Sequence, residues 1–380
     1  MKLLMFSIDL NAFESDSDFQ NRLIDYGRLF EEIYVIVFIP PRVSAGRVTQ
    51  LGYNIFDISG NVHIVPAVSA YKFFSLVRAY RIASRIVKKD REMFAVTTQE
   101  EFTGIIGWLL KVFYHIPWQA QVHSDIFSPY FRRSSFKNKM RVLAAKFTFR
   151  RATCIRVVSE RIKTSIEKLK ITQASIVVLP IFVDASLFGA IAERREYEEN
   201  HFDFVVVMSS RFAPEKDIFS ALRAFRQLIE RYPQTTLRIV GDGFLKNRLE
   251  KYANELKLGA HVQFEGWKND VRGYLQIADC FLMTSQYEGY GMSVVEAMAT
   301  GLPVVMTDVG VAGGLLQNEK SGLVVSVGDD KALAEALGRI RGDAELRKRL
   351  GEAARQATES MPTHIEYLEQ FQKSITTCNR

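Results

Sequence analysis

The stretch TSQYEGYGMSVVEAMATGLPVVMTDVG, running from Thr284 to Gly310, decides how this chain is read. Phe281-Leu282-Met283 before it and Val304-Val305-Met306 within it are short apolar runs, as parallel strands covered on both faces show. Between them Gly289 and Gly291 allow a backbone to approach a ligand closely. Ser293 is the expected N-cap of a short helix whose first N–H groups, on Ser293 and Val294, then point unpaired into the crevice at the strand ends. Gly291, Met292, Ser293 and Val294 thus form a turn suited to a phosphate.

Two carboxylates bracket that turn. Ser293-x-x-Glu296 fits a capping box, in which Glu296 reaches back to the helix start and needs no ligand. Capping has no use for Glu288, which lies in Tyr-Glu-Gly-Tyr-Gly directly after the strand.

The run from Glu288 through Glu296 to Gly301-x-Pro303-Val-Val resembles the Glu-x7-Glu signature and following segment of family 4 of the retaining glycosyltransferases, which have the GT-B fold. The resemblance implies an α/β chain of two doubly wound, Rossmann-like parallel-sheet domains facing a cleft, with a C-terminal helix crossing back to the first. It implies transfer of a sugar from a UDP-, GDP- or ADP-sugar to a hydroxyl acceptor, as in glycolipid, lipopolysaccharide or polysaccharide assembly. Neither cofactor nor metal is required. Glu288 then meets hydroxyls of the donor sugar and Glu296 the ribose hydroxyls, which a carboxylate can accept.

Composition agrees with such a chain. It has 380 residues, 47% hydrophobic and 24% charged, enough for two domains with full cores. Cys154, Cys280 and Cys378 are far apart with no CxxC, so no disulfide framework or zinc site is implied and a reducing, cytoplasmic setting is expected. Residues 1–8 read as a strand rather than a signal peptide. The longest apolar stretch, Phe102 to Trp118, is broken by Lys111 and His115 and falls short of the roughly 20 residues a spanning helix needs. Charge is uneven: residues 1–185 carry 26 Lys and Arg against 16 Asp and Glu, the remainder 24 against 27.

Strands and helices alternate along both halves, predicting a parallel, doubly wound sheet in each. The first half, 1–180, is the expected acceptor-side domain, 181–201 a charge-rich linker, 202–360 the donor domain and 361–380 the returning helix. Ile365, Leu368 and Phe371 are its expected docking face. Asp18 is the expected cap of a helix from Phe19 to Phe30, and Asp16-Ser-Asp18 is too short a match to imply a metal.

Further residues carry chemistry. Arg211 and Lys216 follow a strand ending at Met208 and together can neutralise a leaving diphosphate. A surface loop has the same composition; the spacing resembles the family's Arg-x4-Lys clamp. Gly241-Asp-Gly243 alone reads as a tight turn, because Lys246 breaks a dinucleotide fingerprint. By resemblance Gly241, Gly243, Trp267 and Val271 lie near the nucleoside, and His123 contacts the donor sugar. The family's Gly-rich loop after the first strand is missing here, since no Gly precedes Gly27; Asp9, Asn11, Arg22 and Asp125 are the candidates for the acceptor side.

Tyr71 to Arg91 and Phe131 to Arg151 interleave aromatics with seven and eight basic residues. They fit an acidic phospholipid surface, with peripheral attachment to the cytoplasmic face, equally as well as solvated helices whose aromatics enter the core. A nucleotide-sugar epimerase or hydrolase on the same fold, or a basic membrane- or nucleic-acid-binding protein, is the alternative class; no nucleic-acid motif accompanies the charge.

Overall fold

The computed structural model describes residues 1–39, 55–68, 72–99, 102–189 and 202–379. Tyr71, the start of the first basic segment, and residues 190–201 of the expected linker lie outside the described residues. The chain divides into two compact units, one of residues 1–127, 132–180 and 364–380, the other of residues 128–131 and 181–363.

Among the described residues the first unit holds eight strands: β1 (Lys2–Ser7), β2 (Glu32–Ile39), β3 (Phe56–Ser59), β4 (Val62–Val68), β5 (Phe94–Thr98), β6 (Trp118–Val122), β7 (Cys154–Val157) and β8 (Ser175–Val178). Their order is β3-β4-β2-β1-β5-β6-β7-β8, and only β3 runs antiparallel to its neighbour. Leu3, Leu4, Met5 and Phe6 are buried in succession because helices cover both faces. The hairpin of β3 and β4 adds two strands beyond those expected from the sequence.

Six helices connect these strands: α1 (Asp18–Gly27), α2 (Lys72–Val87), α3 (Gly104–Tyr114), α4 (Pro129–Ser134), α5 (Phe136–Phe149) and α6 (Glu160–Lys168). The cap of α1 is Ser17 rather than Asp18: its hydroxyl accepts the Gln20 N–H at 3.2 Å, while Asp18 stands exposed in the first turn. The basic segment from Phe131 to Arg151 breaks at Ser135, whose hydroxyl caps α5 through the Asn138 N–H at 3.1 Å. Phe149 is buried, whereas Phe136, Met140, Leu143 and Phe147 are exposed, so the core takes only part of the expected aromatic face; Phe131, also buried, belongs to the second unit.

The second unit has six strands, β9 (Phe204–Ser209), β10 (Thr235–Val240), β11 (Val262–Gly266), β12 (Cys280–Met283), β13 (Val304–Thr307) and β14 (Leu323–Val325), all parallel. Their order is β11-β10-β9-β12-β13-β14. The chain steps outward from β9 to β11, returns to the other side of β9 and continues outward to β14. Helices α7 (Ile218–Arg231), α8 (Lys246–Glu255), α9 (Arg272–Ile277), α10 (Met292–Ala299), α11 (Asp330–Gly342) and α12 (Ala344–Glu359) cover it. In α7 the buried Ile218, Ala221, Leu222, Phe225, Leu228 and Ile229 recur at three- and four-residue steps, the spacing of one helix face.

The last helix, α13 (His364–Thr376), returns to the first unit. It buries Tyr367, Leu368, Phe371 and Ile375, while Ile365, expected on that face, is exposed, since it falls on the opposite side of the turn from Tyr367. Phe371 stacks on Tyr26 with ring centroids 4.1 Å apart, and the Gln119 amide donates to the Ser374 carbonyl at 2.8 Å. Beyond α13, Cys378 reaches Cys154 of β7 and pairs with it as a disulfide, the Cα atoms 5.5 Å apart. This corrects the expectation of unpaired cysteines: a separation of 224 residues leaves no trace in spacing. Among the described residues no helix is long and apolar enough to cross a membrane.

Phe371 is therefore the anchor of the returning helix. Replacing it by Ala should cost the first unit about 3–5 kcal/mol, the usual price of truncating a buried Phe. Urea unfolding followed by circular dichroism measures this; a loss below about 1 kcal/mol would show that the disulfide, not the ring, fixes α13.

Candidate active site

In the second unit every loop of interest leaves the same end of the sheet. Because all six strands are parallel, the carboxyl ends of β9, β10, β11, β12 and β13 deliver Arg211–Lys216, Gly241–Gly243, Trp267–Val271, Thr284–Gly291 and Asp308–Gly310 to one edge. The strand order reverses between β9 and β12, the position at which such sheets open a crevice. Lys216 follows β9 and Glu288 follows β12, so they flank the reversal.

There the two side chains meet. The Lys216 ammonium forms an ion pair with Glu288 Oε1, which also accepts the Ser285 hydroxyl at 2.8 Å. The Thr284 hydroxyl donates to the carbonyls of Lys216 and Asp217 at 2.9 and 3.0 Å, and the Gln286 N–H to the Glu215 carbonyl at 2.7 Å. The two loops are thus sewn together by their backbones, which fixes the pair. Arg211 is exposed and rests on Glu215 at 3.4 Å, leaving most of its guanidinium to solvent.

The β9 and β10 loops brace each other as well. The Phe212 N–H donates to the Asp242 carbonyl at 2.8 Å, and the Ser210 N–H to the Val240 carbonyl at 3.0 Å. At Gly241, where φ is +144°, any Cβ would fall on the Ser210 carbonyl. Glycine is required there for loop packing, a reason that holds without a ligand. Trp267 is exposed, its indole N–H donating to Asn269 at 3.1 Å, and Val271 precedes α9 as its cap residue.

The start of α10 departs from the sequence reading. Its cap is Gly291, at φ +98°, and no side chain caps it; Met292 is already helical, so Ser293 lies two residues past the cap position and cannot serve. The expected capping box does not form. Val294, expected to present a free N–H, donates to the Gly291 carbonyl at 3.0 Å, while the N–H groups of Met292 and Ser293 make no hydrogen bond among the described residues. Glu296 has neither hydrogen bond nor ion pair for its carboxylate there, and burial raises its pKa. An acceptor without a partner, beside two donors without partners, suits a ligand that carries hydroxyls and an anion.

In the first unit His123 follows β6. Its ring is partly exposed, yet Nε2 is enclosed without a hydrogen-bond partner. Burial first, then Arg156 and Arg22, push the imidazole from its ordinary 6.5 down to about 3, so it is neutral. Arg156 is buried with its guanidinium on the carbonyls of Leu179 and Pro180 and, at 3.0 Å, on the Tyr367 hydroxyl, a residue the sequence reading did not single out. Asp9 caps the short turn Leu10–Phe13 by accepting the Asn11 N–H at 3.0 Å, and the Asn11 carbonyl accepts the Ser17 hydroxyl at 2.7 Å. Both residues thus have local structural roles. Arg22 is exposed over the Phe19 ring, and Asp125 is buried.

Residues 190–357 match the family model of glycosyl transferases group 1. Over that stretch, which is most of its second unit, the chain resembles the glycosyl transferases of group 1. It is 28% identical over 284 residues to the UDP-Gal:alpha-D-GlcNAc-diphosphoundecaprenol alpha-1,3-galactosyltransferase of Escherichia coli, covering 72% of this chain and 71% of that one. It is 35% identical over 151 residues to the lipopolysaccharide core biosynthesis glycosyltransferase LpsE of Rhizobium meliloti, covering 40% of this chain and 43% of the relative. The crystal structure of Anabaena Alr3699/HepE in complex with UDP superposes with a TM-score of 0.75 at 19% identity, over 99% of this chain and 100% of that one. The fold is GT-B, two parallel α/β sheets with the last helix returned to the first.

Two measurements check the electrostatics. Between about pH 6.5 and about pH 3 the unfolded chain binds a proton at His123 that the folded chain refuses, so stability falls as pH drops through that window. Wild type should therefore lose about 1–2 kcal/mol more than His123→Gln between neutral pH and about pH 5; equal losses in urea titrations would count against an enclosed imidazole. Glu296→Gln removes a half-buried unpaired carboxylate, so its melting temperature should be equal or higher. A lowered melting temperature would make the Glu296 carboxylate structural.

Proposed function

We propose that the chain is a retaining, metal-independent transferase of family 4 that moves a sugar from a UDP-sugar to a hydroxyl of a saccharide, lipid-linked in glycolipid, lipopolysaccharide or related polysaccharide assembly. The observation that carries this reading is the Lys216–Glu288 pair at the strand reversal. Beside it lie the free N–H groups of Met292 and Ser293 and the unpaired Glu296. The UDP named for the HepE complex and the UDP-galactose and diphosphoundecaprenol named for the Escherichia coli relative support the donor and acceptor classes.

In this reading residues 202–360 hold the donor and 1–180 select the acceptor, joined through 181–201. Lys216 and Arg211 take the charge that grows on the diphosphate as the sugar leaves, aided by the start of α10 at Gly291, Met292, Ser293 and Val294. Glu296 accepts the ribose hydroxyls, Glu288 hydroxyls of the sugar, and Gly241, Gly243, Trp267 and Val271 border the nucleoside. The acceptor hydroxyl attacks from the face on which the diphosphate departs and passes its proton to a departing phosphate oxygen. The neutral His123 imidazole, with an unused Nε2, donates to or accepts from a sugar hydroxyl without bringing charge, and Asp9, Asn11, Arg22 and Asp125 border the acceptor.

Single substitutions at the pair strand a half-buried charge and can unfold the loops. The informative variant is Lys216→Met with Glu288→Gln, which removes both charges together. Its melting should stay close to wild type while transfer from a UDP-sugar falls at least 100-fold, and wild-type transfer should persist in EDTA with the anomeric configuration of the donor kept in the product by NMR. Near-normal transfer by the double variant, or an inverted product, would overturn the proposal.

A further inference from the structure

The outward side of α5 is unusual for a helix packed on a sheet. Its inward side buries Val142, Ala145, Thr148 and Phe149. Directly opposite, at spacings of four, three and four residues, Phe136, Met140, Leu143 and Phe147 are 77%, 42%, 59% and 36% exposed. Those spacings align them along one side of the helix over about 16 Å, at 1.5 Å per residue.

The stripe continues onto α3. Phe147 meets Trp108 edge-on with centroids 5.1 Å apart, and the Arg151 guanidinium covers both rings. One turn beyond Trp108, Val112 and Phe113 are 48% and 62% exposed. The Lys111 ammonium donates to the Arg151 carbonyl at 2.9 Å, tying the two helices at that point. Single exposed apolar residues need no explanation, but a row of them across two helices does.

Charge identifies what covers the row. From Phe102 to Arg151 there are nine Lys and Arg and one acidic residue, Asp125, which is buried. Lys139, Lys146 and Arg150 border the stripe on one side and Lys137 on the other, by their places in the helical turn. A second copy of the chain docking by the same face would oppose these cations to each other. An anionic bilayer instead accepts the apolar row among its acyl chains and the flanking cations at its phosphates.

We propose that the α5 stripe, extended by Trp108, Val112 and Phe113 of α3, is a surface that seats the first unit on a membrane rich in acidic phospholipid. This surface stands independently of the donor chemistry proposed above: the transfer reading can fail and the lipid reading hold, or the reverse. Each flanking cation contributes a factor of about five in affinity near such a surface.

Cosedimentation of the full chain with vesicles of phosphatidylcholine, with and without 30% phosphatidylglycerol, tests it. Binding should require the anionic lipid and weaken as salt is raised. Lys137→Gln, Lys139→Gln and Arg150→Gln combined should weaken it about 100-fold, and Phe136→Ser with Leu143→Ser at least tenfold. Melting temperatures should match wild type, since all five side chains are exposed. Equal binding to neutral vesicles would overturn the proposal, as would anionic-vesicle binding that neither variant alters. Self-association in gel filtration that Phe136→Ser abolishes would assign the face to a second copy instead.

Discussion

The second unit depends on a reversal of winding. The chain builds β9, β10 and β11 outward, then returns to lay β12 on the free side of β9. Two adjacent parallel strands whose following connections depart in opposite directions leave a gap that neither helix fills. Into that gap come Lys216 and Glu288, 72 residues apart in sequence. A mostly buried ion pair adds little net stability, because desolvation offsets attraction. Its value is positional: each charge holds the other in place before a ligand arrives, and hydrogen bonds from the Thr284 hydroxyl and the Gln286 N–H keep both loops from relaxing. In the proposed reaction, a diphosphate that competes for the ammonium meets a side chain already oriented, which is the condition for charge stabilisation without reorganisation.

Much of this was legible in the sequence because it is local or periodic. The buried runs of β9, β12 and β13, the face of α7 and the position of Glu288 after a strand all follow from patterns within a dozen residues. What failed depends on partners far along the chain or on dihedral choice. Ser293 was a sound cap by residue type, yet Gly291 can take the positive φ that starts the helix two residues earlier. Cys154 and Cys378 meet only because α13 returns to β7. Ile365 and Tyr367 were both plausible on the docking face, and the stacking of Phe371 on Tyr26 sets which side of the helix turns inward. In α5 both sides are apolar, so periodicity could not say which one the sheet would take.

Arg156 of the first unit is held differently from the paired cations of the second. In the second unit cations are matched by carboxylates: Lys216 with Glu288, Arg223 with Asp330, Arg238 with Glu265. In the first, buried Arg156 is held by two backbone carbonyls, a tyrosine hydroxyl and the face of Phe371, 5.3 Å from its ring centroid. Neutral acceptors satisfy its N–H groups and leave its charge in place. Burial first, and then that residual field with the charge of Arg22, holds His123 neutral. In the proposed role of His123 beside uncharged sugar hydroxyls this is an advantage, because a protonated imidazole could donate only, whereas the neutral ring both donates and accepts.

The same excess of cations appears on the outside of the first unit, on α5, where it accompanies an apolar row rather than a carboxylate. Solubility alone does not account for that combination, since exposed Phe136 and Leu143 oppose it while the lysines favour it. A surface that is both apolar and cationic matches a phase that is both apolar and anionic. If the acceptor is lipid-linked, as proposed, the chain has to be brought to the bilayer, and attachment through side chains outside the proposed transfer site lets lipid affinity and turnover be altered separately. The sequence supplies that separation: the cations of α5 lie more than 60 residues before Lys216, on helices that bury only small and apolar side chains beneath them.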